Sequence, residues 1–313
     1  MALGARPRDL KKLVIATRRS RLALWQAEHI AARLRKLNQD LQVELLPMST
    51  RGDELIDRRL DEAGGKGLFV KELENAMSDG RAHLAVHSMK DVPAELPPGF
   101  VLAAITARED PRDALVSSKY KTVSEMVEGA TIGTSSLRRQ AQIVERHPAL
   151  EVKLLRGNVE TRLAKLDRGE YDAIVLAAAG LTRLGLEGRI TAHLEADEML
   201  PAPGQGALGI ECRSGDMEVV ALLMRLADPA TSACVRAERA VSRALGGSCT
   251  LPLAAYAIRV QGNQLRLRAL VASADGKRVL RQQAEGAAME PEALGIRVAE
   301  DLRRQGAAEI LGL

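Results

Sequence analysis

The stretch Leu84-Ala85-Val86-His87-Ser88-Met89-Lys90-Asp91-Val92-Pro93 decides how the chain is read. A short apolar run of strand type ends in a cation and a carboxylate side by side, and a proline then stops it. Open α/β sheets bind ligands beyond the carboxyl ends of their strands, so a charged pair at that point is placed for chemistry. An isolated Lys-Asp pair at a strand end is more often a solvated surface pair. Here the rest of the chain supplies partners for Asp91, and that tips the balance.

Outward from that stretch one unit recurs: strand, hydroxyl residue, arginine, helix. Lys12–Thr17 reads as a strand; Arg18, Arg19 and Ser20 follow; Leu24, Ala27, Ala31, Leu34 and Leu37 then recur at helical spacing. Thr131–Thr134 is a second such strand, and Ser135, Ser136, Leu137, Arg138 and Arg139 open a helix through Arg146. A helix start just past a strand offers free backbone N–H groups to an anion. Val152–Leu155 runs into Arg156-Gly157-Asn158, with Arg162 one turn into the next helix. Tyr171–Ala177 has the nearly all-apolar character of a buried parallel strand and leads to Arg183. The charged, proline-containing segment Arg108–Asp113 and the segment Leu200–Gly206, rich in proline and glycine and holding Gln205, read as two crossings between two α/β lobes. The strand Ala207–Cys212 returns to the first lobe. Beyond about Asp228 the pattern changes to a helix (Ser232–Leu245), a glycine-bounded turn with Cys249, three strands and a closing helix (Pro291–Gln305). Expected domains are therefore 10–106 plus 207–224, then 112–200, then 229–313.

Composition narrows the partners. Aromatic residues are only 2% of the 313, so the cores must be aliphatic, and the stacking platforms of single-stranded nucleic-acid binders are missing. The formal charge of +4 comes from scattered Lys and Arg, which favours an acidic small molecule over nucleic acid or an anionic surface. Cys212, Cys234 and Cys249 form no Cys-x-x-Cys, as expected of a reducing cytosol with at least one thiol free for other work. No apolar run approaches a membrane span, and Met1 to Lys12 lacks the apolar region of a signal peptide, so a cytoplasmic protein is expected. The polar stretch Ser49–Gly67, ending Gly64-Gly65-Lys66-Gly67, suits a lid or binding loop and carries no Walker A spacing. His83 and His87 on one strand would lie ~13 Å apart, so no metal site is expected there.

Any one arginine is more often a surface residue than a ligand-binding one. Five or more at equivalent strand–helix junctions make a common polyanionic ligand the better reading, since guanidinium grips carboxylate with a planar two-pronged fit. Cys249 in its turn suits a thiolate that reacts or carries something, the alternative being a structural cysteine.

The segments VHSMKDVP, GTSSLRR, LRGNVETRL, LPAPGQGALGIECR and the GGSC turn occur in this order. Together they resemble the hydroxymethylbilane synthase (porphobilinogen deaminase) family, in its compact bacterial form, from about Leu13 to the C-terminus. The resemblance implies an α/β fold of two similar doubly wound lobes of the periplasmic-binding-protein-like type, hinged about a cleft, plus a small α+β domain with a three-stranded antiparallel sheet. It implies a transferase that condenses four porphobilinogen molecules, releasing ammonia, onto a dipyrromethane cofactor held by a thioether, and then hydrolyses the linear product free.

By the matching motifs Cys249 is the attachment point and Asp91 the catalytic carboxylate. Each pyrrole carries an acetate and a propionate, which accounts for Arg18, Lys66, Lys90, Arg138, Arg139, Arg156, Arg162, Arg183 and Arg239. Ser20, Ser136, Gln205 and backbone N–H groups complete the binding set. Loss of ammonia leaves a cationic electrophile, and a fixed carboxylate at Asp91 would stabilise it. The chain departs from many relatives at Arg21, Glu62 and Ser248. A monomer without nucleic-acid or membrane partners is expected; a non-catalytic two-lobed binder of a small polycarboxylate is the alternative.

Overall fold

The computed structural model describes residues 10–50, 70–247, 251–273 and 275–312. Strands β1 (Lys12–Arg18), β2 (Gln42–Met48) and β3 (Leu84–Ser88) run parallel in the order β2-β1-β3. Beyond β3 lies β10 (Leu208–Arg213), antiparallel to it, and β4 (Phe100–Ile105) closes the sheet on the far side of β10. The second sheet repeats this plan. Strands β6 (Thr131–Thr134), β7 (Glu151–Leu154) and β8 (Ala173–Ala177) are parallel in the order β7-β6-β8, followed by antiparallel β5 (Asp113–Val116) and then β9 (Ala192–Leu194). In each lobe the antiparallel strand is the first one after a crossing, so each crossing delivers the strand that completes a sheet.

Aliphatic side chains build the cores, as the scarcity of aromatics requires. In the first lobe Leu13 and Ile15 of β1 and Leu84 and Val86 of β3 meet Ile30 and Leu34 of the helix Arg21–Leu37. That helix buries Ala23, Gln26, Ala27, Ile30, Ala31 and Leu34, a stripe at three- and four-residue spacing. Each fully buried Leu or Ile contributes roughly 1.5–3 kcal/mol, so this stripe, more than intrinsic propensity, fixes where the helix lies.

The third unit is an antiparallel meander of β11 (Leu253–Val260), β12 (Gln264–Ala272) and β13 (Val279–Ala287), packed on the helices Pro229–Ala244 and Pro291–Arg304. One buried carboxylate ties it to both crossings. Glu238 accepts two hydrogen bonds from Arg108 at 2.8 and 2.6 Å, one from the Gly204 N–H at 2.7 Å and one from the Ala257 N–H at 2.8 Å. Removing this carboxylate would leave the Arg108 charge buried and uncompensated, a loss of about 3–5 kcal/mol. The crossings also touch each other. Gly206 has φ +91°, and a Cβ there would overlap the Glu109 carbonyl oxygen, so only glycine lets the two strands meet.

Several details differ from expectation. The Lys90-Asp91 pair sits on a 3-10 turn, Met89–Asp91, one step past the end of β3 rather than on the strand itself. β8 begins at Ala173, because Asp172 is used to hold the Thr131 backbone N–H at 2.7 Å, and its far side is antiparallel. Helices Ala178–Arg183, Met217–Met224 and Ala307–Leu311 and the three-residue β9 were not anticipated. Met217–Met224 is almost uniformly apolar and therefore carries no periodicity, while the others are too short to show one. The Ser49–Gly67 loop lies outside the described residues from residue 51 onward.

Candidate active site

A cavity of about 700 Å³ opens where the carboxyl ends of the parallel strands of both lobes meet the third unit. Arg18, Ser20, Lys90, Asp91, Ser136, Arg138, Arg139, Arg156, Arg162, Arg183, Gln205 and Arg239 all line it. Lys66 and Cys249 lie outside the described residues. The described residues flanking the Cys249 turn, Gly247 and Leu251, line the cavity too. Gly247 approaches the Asp91 segment so closely that a Cβ there would lie 2.8 Å from the Ala94 Cβ.

The repeated topology explains why these residues converge. Ser20 follows β1 and Ser136 follows β6, so they occupy equivalent places in the two lobes. Each is the N-cap of its helix, accepting a hydrogen bond from Ala23 N–H and Arg139 N–H respectively, at 3.4 Å. A hydroxyl that accepts at a cap still has its own proton to donate. Neither helix carries an acidic residue in its first turn, so both positive helix ends face the cavity without an internal counter-charge. Arg156 and Arg162 flank a third such junction. Gly157 between them has φ +115°, and a Cβ would press within 2.7 Å of Thr161.

The arginines differ in how much of each is already engaged. Arg239 donates to the carbonyls of Val92, Pro93 and Ala94 at 3.1, 2.7 and 3.1 Å, which fastens the segment just after Asp91 to the third unit. Arg183 donates to the Gly206 carbonyl at 2.6 Å and lies 6.0 Å from the Trp25 ring centroid of the opposite lobe. Arg162 donates to the Gly157 carbonyl at 2.8 Å. Arg138 and Arg139 share a buried carboxylate, Asp113, that motif reading missed. Asp113 ends the charged run Arg108–Asp113, whose composition reads as a crossing between lobes and not as part of a site.

Asp91 is partly exposed to the cavity and accepts no hydrogen bond from any other described residue. The only other acid on the described wall is Glu160, which pairs at 3.7 Å with Arg21 across the lobes. Cation crowding registers on the bases. Lys90 is pushed down to about 8, by burial first and then by the Arg139 charge, with Asp91 and Asp113 pulling the other way. Arg162 is pushed down to about 10 by burial and then by Arg139 and Arg156, with Asp91 again opposing. These are the signs of a site short of negative charge.

The remaining titratable candidates belong elsewhere. His83 accepts the Val14 N–H at 3.0 Å, and His87 contacts Glu211 at 2.8 Å; each has its own partner inside the first lobe. Cys212 and Cys234 are buried, and burial pushes both thiols up to about 11, away from reactivity.

Comparison with known proteins accords with this arrangement. Residues 13–221 match the family described as porphobilinogen deaminase, dipyromethane cofactor binding domain, and residues 232–304 match porphobilinogen deaminase, C-terminal domain. Porphobilinogen deaminase of Thiobacillus denitrificans is 59% identical over 299 residues, covering 96% of this chain and 97% of that one. Its counterpart in Bordetella parapertussis is 58% identical over 302 residues, covering 96% of each chain. With both family segments matched in order across the two lobes and the third unit, the chain belongs to the porphobilinogen deaminase family.

Proposed function

We propose that this chain condenses four porphobilinogen molecules, with release of ammonia, into linear hydroxymethylbilane, extending a dipyrromethane primer carried on Cys249 and freeing the product by hydrolysis. The observation that carries the residue roles is the isolation of Asp91, a carboxylate without a hydrogen-bond partner among the described residues, in a cavity walled by cations.

A primer bearing an acetate and a propionate on each ring fits this wall. Two helix N-termini without acids in their first turns, two cap hydroxyls and the guanidiniums of Arg138, Arg139, Arg156 and Arg162 all face carboxylate-sized anions. When bound, the primer would supply the free pyrrole carbon to which the first substrate unit is joined, each later unit being joined to the one before it. Asp91 stabilises the positive charge that develops on pyrrole nitrogen and, when protonated, assists the departing amine. Lys90, Arg18, Lys66 and Ser20 hold carboxylates, as do Arg138, Arg139 and Ser136. Arg239 acts first by fixing the Asp91 segment, and Arg183 and Gln205 by bracing the second crossing. Domain bounds at 10–106 plus 207–224, 112–200 and 229–313 go with this reading. So does a cytoplasmic monomer without nucleic-acid or membrane partners; no described helix is long and apolar enough to cross a membrane.

The direct test is to supply porphobilinogen to the purified protein and measure ammonia and tetrapyrrole together. Four ammonia released per hydroxymethylbilane is the expected ratio. Tight binding without ammonia release would mean a non-catalytic polycarboxylate binder instead.

A pH dependence follows from Lys90. Its folded-state value of about 8 lies below the ordinary 10.5. Between these the unfolded chain holds more protons than the empty folded protein, so stability rises with pH across that window. A bound carboxylate restores the proton. Titrating the primer-free Cys249→Ser protein with porphobilinogen at pH 8, in buffers of different ionisation enthalpy, should show uptake of roughly half a proton. No uptake would place the carboxylate away from Lys90.

A further inference from the structure

We propose that Asp113 is a positioning residue for this reaction: it presets the orientation of Arg138 and Arg139 from behind the cavity wall and ties the pair, through Gln205, to the second crossing. The inference rests on the carboxylate-binding role of the two arginines given above.

Asp113 is fully buried at the first residue of β5, directly after the first crossing, and does not itself line the cavity. Every side chain that hydrogen-bonds to it does line the cavity. Its Oδ2 accepts from Arg138 Nη1 at 2.8 Å. Its Oδ1 accepts from Arg139 Nε at 3.1 Å, Arg139 Nη2 at 2.8 Å and Gln205 Nε2 at 3.0 Å. Each arginine is also held at a second point: Arg138 Nη1 donates to the Leu200 carbonyl at 2.7 Å, and Arg139 Nη1 to the Val175 carbonyl at 2.8 Å. Two anchors per guanidinium fix its plane as well as its place.

Donors remain for a ligand. Arg138 Nε and Nη2 make no hydrogen bond among the described residues, and both arginines border the cavity. One carboxylate against two guanidiniums also leaves a net positive charge for an incoming carboxylate.

The linkage to the crossings is equally specific. Gln205 comes from the second crossing, and its Nε2 also donates to the Pro111 carbonyl of the first, at 2.7 Å. Leu200, which anchors Arg138 and accepts from Gln142 Nε2 at 3.2 Å, opens that second crossing. The arginine pair and both inter-lobe strands therefore share one buried carboxylate. Displacing the pair moves the hinge, and moving the hinge displaces the pair.

The test separates positioning from mere charge compensation. Asp113→Glu keeps the charge but, one methylene longer, pushes the arginine fork out of place. In the holoenzyme it should fold, carry its primer by intact mass, and raise KM for porphobilinogen about ten- to a hundredfold, the effect of releasing two rotamer-rich side chains. Calorimetric Kd for porphobilinogen in an Asp91→Asn background should rise by a similar factor. In Arg139→Lys, adding Asp113→Glu should raise KM by less than it does in the parent, because the part of its effect that passes through the Arg139 guanidinium is already gone. A folded Asp113→Glu enzyme with KM within twofold of the parent, or fully multiplicative effects in the double variant, would overturn the proposal. Arg139→Lys alone tests the reading beneath it: an unchanged KM there would remove the carboxylate-binding role itself.

Discussion

Asp91→Asn is expected to fold normally, keep its primer and bind porphobilinogen, yet turn over about 10²–10⁴-fold more slowly, the range for loss of a positioned acid–base or charge-stabilising group. The size of the effect follows from isolation. Asn has the shape of Asp, and the native carboxylate makes no hydrogen bond to another described residue, so no structural contact is lost. Asn does remove the carboxylate that favours the charged forms of Lys90 and Arg162, so a modest fall in the melting midpoint accompanies the loss of rate. What disappears is the one acid on the described wall that is not paired with an arginine, since Glu160 is engaged by Arg21, and the positive pyrrole nitrogen then faces a largely cationic wall. Ammonia release per enzyme, together with the melting midpoint, checks both halves. A rate within tenfold of the parent would move the catalytic role to another group.

Cys249→Ser should abolish turnover altogether, because serine forms no thioether and the primer has no anchor. Intact mass of the parent should exceed the chain mass by one dipyrromethane, and the variant should weigh only its chain. The flanking residues support this placement: Gly247 packs against Ala94 of the Asp91 segment, and Leu251 borders the cavity. A parent protein of bare chain mass, made in cells with a working pathway, would sink the assignment. An adduct that persists in the variant would move it to another side chain. Cys212 and Cys234 are poor substitutes, since both are buried with thiols shifted upward.

Much of this was legible in the chain. Apolar periodicity located the helix Arg21–Leu37 and the strands of the parallel cores within a residue or two, because each buries one well-defined stripe. Strand–serine–arginine–helix junctions identified the lining, because the fold sends the carboxyl ends of parallel strands to one place. What stayed hidden were buried charges that serve the lining from behind. Asp113 and Glu238 sit among charged neighbours in the sequence, and local patterning does not separate a carboxylate in solvent from one facing four donors. Their roles arise from contacts between residues as much as 130 positions apart, such as Arg108 and Glu238. Lys90 and Asp91 were recognised by position, but the 3-10 turn that aims them was not, since three residues carry no period.

The exchange of strands between the lobes bears on how the chain is made. Among the described residues β4, Phe100–Ile105, pairs only with β10, which is completed at Arg213, about a hundred residues later. At ordinary synthesis rates that interval lasts roughly 5–20 s. The described strands of the second sheet all lie within Asp113–Leu194, so they can pair while the first sheet still lacks its inner antiparallel strand. The half of the molecule that carries Asp91 thus starts earlier in the chain than the second lobe and is completed later.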